Sequence, residues 1–345
     1  MQLGALVASG VAAGQRRLFA LMMGCYALAL VAPGPGLALR HTSVPLVGAH
    51  GSVSLLLLAA MLFAAGTNCR IGELGQLARR PGRPMLGITA NALMPLLLLP
   101  ALAAATGLWH DPREADSVVV GLALVLSMPI AGGAASWGQA AGADTALAVA
   151  MVLGSTVLSP LTIPLGLGLA GLLTLPHSTA QLQLAGGVAG GAFAVGSVVL
   201  PCLAGVGLRL LAGERRMPRL LPFIKAVNLL DILLLCYSNA SAALGHLLRR
   251  PDPDAIAMAV TAAALVCAAG FLLGAVLARL LRARTPQAVA LTLASGINNS
   301  SAASVLAGTC FPGRPGVLLP VLSYSLLQKA IAARAARGRR AARDS

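Results

Sequence analysis

The sequence predicts an all-α polytopic membrane protein with ten transmembrane helices arranged as two inverted five-helix repeats. Three observations predict it: a charge-poor apolar composition, ten hydrophobic windows of spanning length, and helix-breaking clusters at matching places in the two halves. Of 345 residues, 57% are hydrophobic and only 10% charged, whereas a soluble domain carries about 25% charged residues. A water-exposed globular enzyme is set aside on that ground. Ten helices of about 20 residues require roughly 200 apolar residues, which is what this chain holds.

The windows are bounded by charged or proline-rich breaks and lie at 18–39, 45–67, 85–107, 117–138 and 145–172, then at 183–211, 220–246, 255–281, 287–309 and 315–333. The first follows Arg16 and Arg17 and is longer than the apolar region of a signal peptide, so it reads as a retained helix. With ten spans and the N-terminus inside, 20 of the 25 Lys and Arg residues fall on the inner side, and Arg40, Arg113, Arg249, Arg250 and Arg314 fall outside. This is the asymmetry of the positive-inside rule. It places the chain in the cell (inner or plasma) membrane with both termini cytoplasmic. Asp111, Glu114 and Asp116 are expected in an outer loop. The basic tail from Arg334 to Arg343 reads as a topology determinant.

A net charge of +15 does not signal nucleic acid, because the basic residues sit in short runs and lack the aromatics that stack on bases. Cys25, Cys69, Cys202, Cys236, Cys267 and Cys310 are scattered, without a pair or histidine cluster that would signal a disulfide framework or metal site.

Internal repetition comes next. ARRPG (Ala78 to Gly82) precedes the third span and LRRPD (Leu248 to Asp252) the eighth, 170 residues apart. Five spans separate them, and an odd number per repeat forces inverted topology. The repeats are expected at 1–172 and 173–333, followed by the tail at 334–345. The fourth span carries Pro129, Gly132 and Gly133, which interrupt a helix. The ninth carries Gly296 followed by Asn298, Asn299 and several serines. Pro129 and Gly296 are 167 apart, close to the repeat offset. Discontinuous helices at corresponding places in two halves point to a binding site at the bilayer midplane. Small residues there also serve close helix packing, but buried asparagine amides need partners.

In the seventh span Lys225, Asn228, Asp231, Ser238, Asn239 and His246 fall within an arc of ~140° on a helix. An intramembrane carboxylate is a functional candidate, so Asp231 is a candidate for substrate or proton handling, with pairing to Lys225 or Asn228 as the structural alternative.

These residues resemble the bile acid:sodium symporter family from about residue 18 to 333. The resemblance rests on GELGQLARRP before the third span, NALMP (Asn91 to Pro95) within it, Pro129 followed by Gly132, and ADTALAVAMVLGSTVLSPLTIP (Ala143 to Pro164). GINNSSAAS (Gly296 to Ser304) and LPVLSYSLLQKAIAA (Leu319 to Ala333) complete it. It implies crossing of the discontinuous fourth and ninth helices, a panel domain from spans 1, 2, 6 and 7, and a core domain from spans 3 to 5 and 8 to 10. It also implies alternating-access symport of a small organic anion, usually with sodium. The expected partners are therefore the lipid bilayer and that anion, and the one expected cofactor candidate is a sodium ion.

The departures from the family matter. Its sodium-binding Ser-Asn falls on Ala134 and Ala135, its fifth-span hydroxyls on Ala148 and Val152, its ninth-span carboxylate on Ala294, and its third-span glutamine on Ala90, beside Asn91. Alanine offers no oxygen to a hard cation. What remains for substrate or ion is Asn298, Asn299, Ser300, Asn91, Asn228 and Asp231, and for a weak sodium site Asn298 with the carbonyls of Ser295 and Ile297. Coupling to sodium, to protons through Asp231, or to no ion all stay open, as does a non-transporting sensor on a degenerate transporter fold. A sodium/proton antiporter needs paired carboxylates at the crossing, and an intramembrane serine protease needs a histidine at depth beside Ser295. The sequence offers neither.

Overall fold

In hydrocarbon every backbone N–H and C=O must find a partner inside its own segment, which leaves helices as the way to cross. The computed structural model describes residues 2–46, 49–69, 72, 81–174, 176–249 and 252–344, and is helical almost throughout. Among the described residues six helices are long and apolar enough to span: Gly82–Thr106, Thr145–Leu173, Phe193–Gly213, Arg215–Gly245, Pro253–Leu280 and Pro315–Gly338. The chain is a multi-pass helical membrane protein.

Two compact units divide it, one of Met1–Ile71 with Val195–Asp252 and the other of Gly72–Ala194 with Pro253–Ser345. The first unit opens with α1 (Gln2–Arg16), α2 (Leu18–Val31) and α3 (Pro33–His41). The expected first span is bent by 97° between α2 and α3. Pro33 lacks an N–H and pushes Ala32 out of the helical region, and Ala32 sits at φ −134°, ψ 71°. Next, Ser43–Leu46 pairs antiparallel with Ala49–Ser52, so the second span starts later than expected, at α4 (Val53–Thr67). Ser52 caps it by accepting from the Leu55 N–H at 3.3 Å.

The unit is completed by α10 (Leu200–Arg249), one helical run kinked at Gly213. A loop was expected between 211 and 220; the turn instead uses Gly213 at φ 66°, a conformation open to glycine. Backbone touches backbone where α4 crosses α10: a Cβ on Gly66 would lie 2.0 Å from the Cys202 carbonyl oxygen, and one on Gly205 would lie 2.1 Å from that of Phe63. Small residues permit such approach between membrane helices.

The second unit contains α5 (Gly82–Thr106), α6 (Pro112–Ser127), α7 (Gly133–Ala140), α8 (Thr145–Leu173) and α9 (Pro176–Val188). It closes with α11 (Pro253–Leu280), α12 (Thr285–Gly296), α13 (Ser300–Cys310) and α14 (Leu318–Asp344). From Val118 to Ser127 every residue of α6 is buried, as befits a helix that is apolar all round. Asp116 is not in a loop as expected but buried within α6.

Contacts tie the ends of these helices into two groups. At one end the Arg83 guanidinium bonds Gln287, and the Asp144 N–H donates to the Pro286 carbonyl at 2.9 Å. At the other, Arg314 pairs with Asp116 at 2.8 Å, whose carboxylate also accepts from Ser178 at 2.5 Å and Gln181 at 2.7 Å. His110 and Asp254 approach to 3.7 Å there as well. Of the expected repeat markers, Arg79 and Arg80 and the side chains of Arg249 and Arg250 lie outside the described residues, as does that of His246.

Candidate functional site

The two expected interruptions are present, and both belong to the second unit. Pro129 ends α6: it cannot donate to the preceding turn and forces Met128 to an extended ψ of 151°. The chain re-enters a helix at Gly133. In the second interruption α12 ends at Gly296, Ile297 is extended at φ −115°, ψ 92°, and α13 begins at Ser300. Gly296 is required by contact, since a Cβ there would fall 2.4 Å from the Phe271 ring.

The interruptions pair with each other. Ile130 and Asn298 face one another as an antiparallel bridge. The Ala131 N–H donates to the Ile297 carbonyl at 2.9 Å and the Asn299 N–H to the Pro129 carbonyl at 3.0 Å. Two flanking side chains satisfy backbone groups that this exchange leaves over. Ser155 Oγ accepts the Ile130 N–H at 3.1 Å. Gln328, on α14, accepts the Asn298 N–H at 3.0 Å through Oε1 and donates to the Asn298 carbonyl at 3.1 Å through Nε2. Its carboxamide thus plays the part of a third strand. Unwound backbone at this depth is tolerated where its groups are satisfied in this way.

The Gln328 amide also donates to Ser300 Oγ at 3.1 Å, Ser300 donates to Ser325 at 2.9 Å, and the Lys329 ammonium donates to Ser325 at 2.7 Å. Tyr324, fully buried, donates to the Gly296 carbonyl at 3.3 Å.

The two asparagines differ. Asn299 Oδ1 accepts the Ala302 N–H at 3.1 Å, so it caps α13 in the ordinary manner of an asparagine. Asn298 is 0% exposed. Its Oδ1 accepts from Asn91 Nδ2 at 2.7 Å, and its Nδ2 has no hydrogen-bond partner among the described residues. Buried polar groups are nearly always paired, so this N–H marks the site.

The structure therefore brings together Asn91, Pro129, Gly132, Gly133, Ser295, Gly296, Ile297, Asn298, Asn299 and Ser300. Asn228 and Asp231 are not in this group; they lie on α10 in the first unit. There Ser238 donates to the Gly36 carbonyl at 3.1 Å and Asn239 accepts from Arg40 at 2.9 Å. Ser238 and Asn239 of the seventh-span polar stripe thus hold α3 in place. Asp231 is buried, and its Oδ2 has no partner among the described residues.

Sequence reasoning missed Gln328, Ser325, Ser155 and the Asp116–Arg314 pair. A signal existed for the first two: Ser325, Gln328 and Lys329 recur at i, i+3 and i+4 in an apolar helix, which puts them on one face. For Ser155 and Asp116 no local pattern distinguishes them.

A multi-pass helical protein with two interrupted helices meeting at their breaks is built as membrane transporters are. The profile of the sodium bile acid symporter family matches residues 55–250, and the chain belongs to that family. An uncharacterized sodium-dependent transporter, YocS, of Bacillus subtilis (strain 168) is 27% identical over 259 residues, 74% of this chain and 74% of its own length. The uncharacterized protein YbaS of the same strain is 25% identical over 238 residues, 69% of this chain and 73% of its own. The family resemblance read from the sequence is thereby established, and with it contact with a lipid bilayer and a small-molecule substrate.

Proposed function

We propose that this protein is a secondary transporter of small organic anions, working by alternating access, with its substrate bound beside the paired helix interruptions. The observation that carries this reading is the unpartnered, fully buried Nδ2 of Asn298. It is a donor, and it suits the oxygen of a carboxylate or sulfonate. Asn91 orients it by occupying Oδ1. Two helices, α7 and α13, begin immediately after the interruptions, and helix N-termini favour anions.

The ten-span, inverted-repeat scaffold is part of the proposal, with repeats at 1–172 and 173–333 and a basic tail at 334–345. Grouping of the helix ends supports it: α5, α6 with α7, α8, α11, and α12 with α13 each run from one group to the other. The bias of basic residues supports reading the end that holds Arg83 and Gln287 as the inner one, and both termini as cytoplasmic in the cell membrane. The compact units support a panel of spans 1, 2, 6 and 7 and a core of spans 3 to 5 and 8 to 10.

Sodium finds little to hold it at the crossing. The Ile297 carbonyl already accepts from Ala131, the Asn298 amide oxygen from Asn91, and Ala134, Ala135 and Ala294 supply no oxygen. Among the described residues no group of three or more His, Cys, Asp or Glu side chains is placed to hold a metal ion. The reading is of an anion carrier whose coupling does not run through sodium at the crossing.

Uptake of radiolabelled taurocholate and of short monocarboxylates into proteoliposomes tests it. Uptake of at least one probe, equal in sodium and potassium media and lost in Asn298→Ala, is expected. Absence of binding and flux for every probe would replace it with the sensor reading. A sodium-specific rise in thermal stability, which a ligand bound to the folded state produces by mass action, would restore sodium symport.

A further inference from the structure

We propose that Asp231 is a proton-binding site, and that proton binding there links anion transport to the pH gradient. This rests on the transporter reading above and adds the coupling ion to it.

Asp231 lies in the second half of α10, within a spanning helix. It is 5% exposed, and Oδ2 has no hydrogen-bond partner among the described residues. Other polar side chains of α10 are occupied elsewhere: Ser238 of the polar stripe on the Gly36 carbonyl, Asn239 of the stripe with Arg40, and, outside the stripe, Ser241 on the Tyr237 carbonyl and Tyr237 on the Ala32 carbonyl. None of these bonds involves Asp231. The pairing with Lys225 or Asn228 considered from the sequence is not made, and no ion pair includes Asp231 among the described residues.

Within its unit α10 packs against α1, α2, α3 and α4. On those elements the titratable or charged residues are Arg16 on α1, whose side chain lies outside the described residues, Cys25 and Tyr26 on α2, and Arg40 and His41 on α3; α4 has none. Arg17 stands between α1 and α2 and is exposed. Cys25 bonds the Leu233 carbonyl at 3.6 Å and Arg40 bonds Asn239 at 2.9 Å. On α10 itself the nearest in sequence are Cys236, then Lys225 and Tyr237 at equal separation on either side.

A charged carboxylate with a bare oxygen in such surroundings is an uncompensated charge. Taking up one proton from water turns Asp231 into a neutral acid and removes that charge; returning the proton to water on the opposite side completes the cycle. One proton moved with one monocarboxylate is electroneutral. The crossing segments carry no carboxylate, so the anion site belongs to the second unit and the proton site to the first.

Infrared difference spectra of the full chain in lipid, acid minus neutral pH, are expected to show a protonated-carboxyl C=O band that is lost in Asp231→Asn. If that variant does not fold, Asp231→Glu carries the same test, and the band should move rather than vanish. In proteoliposomes an acid-outside gradient should accelerate uptake of taurocholate or a monocarboxylate by the wild type, and Asp231→Asn should lose that acceleration. A band unchanged by both substitutions, or an equal gradient response in Asp231→Asn, overturns the proton site while leaving the carrier reading intact. Wild-type vesicles that admit no probe under any gradient overturn the carrier reading, and the infrared band then decides the proton site by itself.

Discussion

The two helix interruptions perform the same backbone task with different materials. From Pro129 to Gly132 the first offers only apolar or absent side chains, and one serine, Ser155, props its spare N–H. The second, from Ile297 to Asn299, places two carboxamides at the bridge, and Gln328 engages both backbone groups of Asn298. The first acts as a template that pairs with the second. The second carries the polar chemistry. Matching breaks in two halves thus need not contribute equally to a site: backbone pairing requires only that both chains be extended, whereas ligand recognition requires a polar group left over after pairing.

The largest contrast should be functional. Asn298→Ala is expected to abolish uptake, while Ile130→Val, its partner across the bridge, should cost only about 0.5–1.5 kcal/mol of stability and keep transport. Uptake by both variants in proteoliposomes checks this, and equal loss in both would erase the asymmetry. Next in size is the prop on each side. Gln328→Leu leaves the Asn298 N–H without its partner and takes one of two donors from the Asn298 carbonyl, which keeps the Ser300 N–H at 2.8 Å, while Ser155→Ala leaves the Ile130 N–H bare; each orphaned group costs about 1–3 kcal/mol. Thermal unfolding in detergent should show both variants falling, the Gln328 variant the further.

The glycines sharpen the same comparison. Gly296→Ala drives a methyl group into the Phe271 ring at 2.4 Å, and overpacking of this kind costs about 1–3 kcal/mol. At Gly133 the nearest atoms to an added Cβ are 3.9 and 4.0 Å away, so Gly133→Ala should melt within a degree or so of the wild type. An effect smaller than that of Gly296→Ala is expected from Asn299→Ala, about 1 kcal/mol for a lost cap, recovered by Asn299→Ser, which caps without adding a charge at a buried position. If Asn299→Ser melts like Asn299→Ala, the cap assignment is wrong.

Much of this was legible in one dimension. Pro129, Gly132 and Gly296 announce the breaks because backbone permissiveness is a property of the residue itself. Membrane residence and the approximate spans follow from runs of apolar side chains, which need no knowledge of neighbours. Asn298 and Asn299 were legible as a pair, but not as one free amide and one cap. That distinction depends on Asn91, 207 residues away in the chain, and on where α13 starts. Asp116 looked like a loop acid because it follows two others; its burial is decided by Ser178, Gln181 and Arg314.

The sequence alone therefore determined that the chain is a helical membrane protein, where its helices are interrupted, and which family it belongs to, since hydropathy, proline and glycine act locally. Tertiary structure decided which polar groups are used up in holding the fold and which are left over, among them the Nδ2 of Asn298 and the Oδ2 of Asp231. A hydrogen bond consumes its donor and acceptor wherever in the chain they come from, so what remains for function is visible only after all the partners have met.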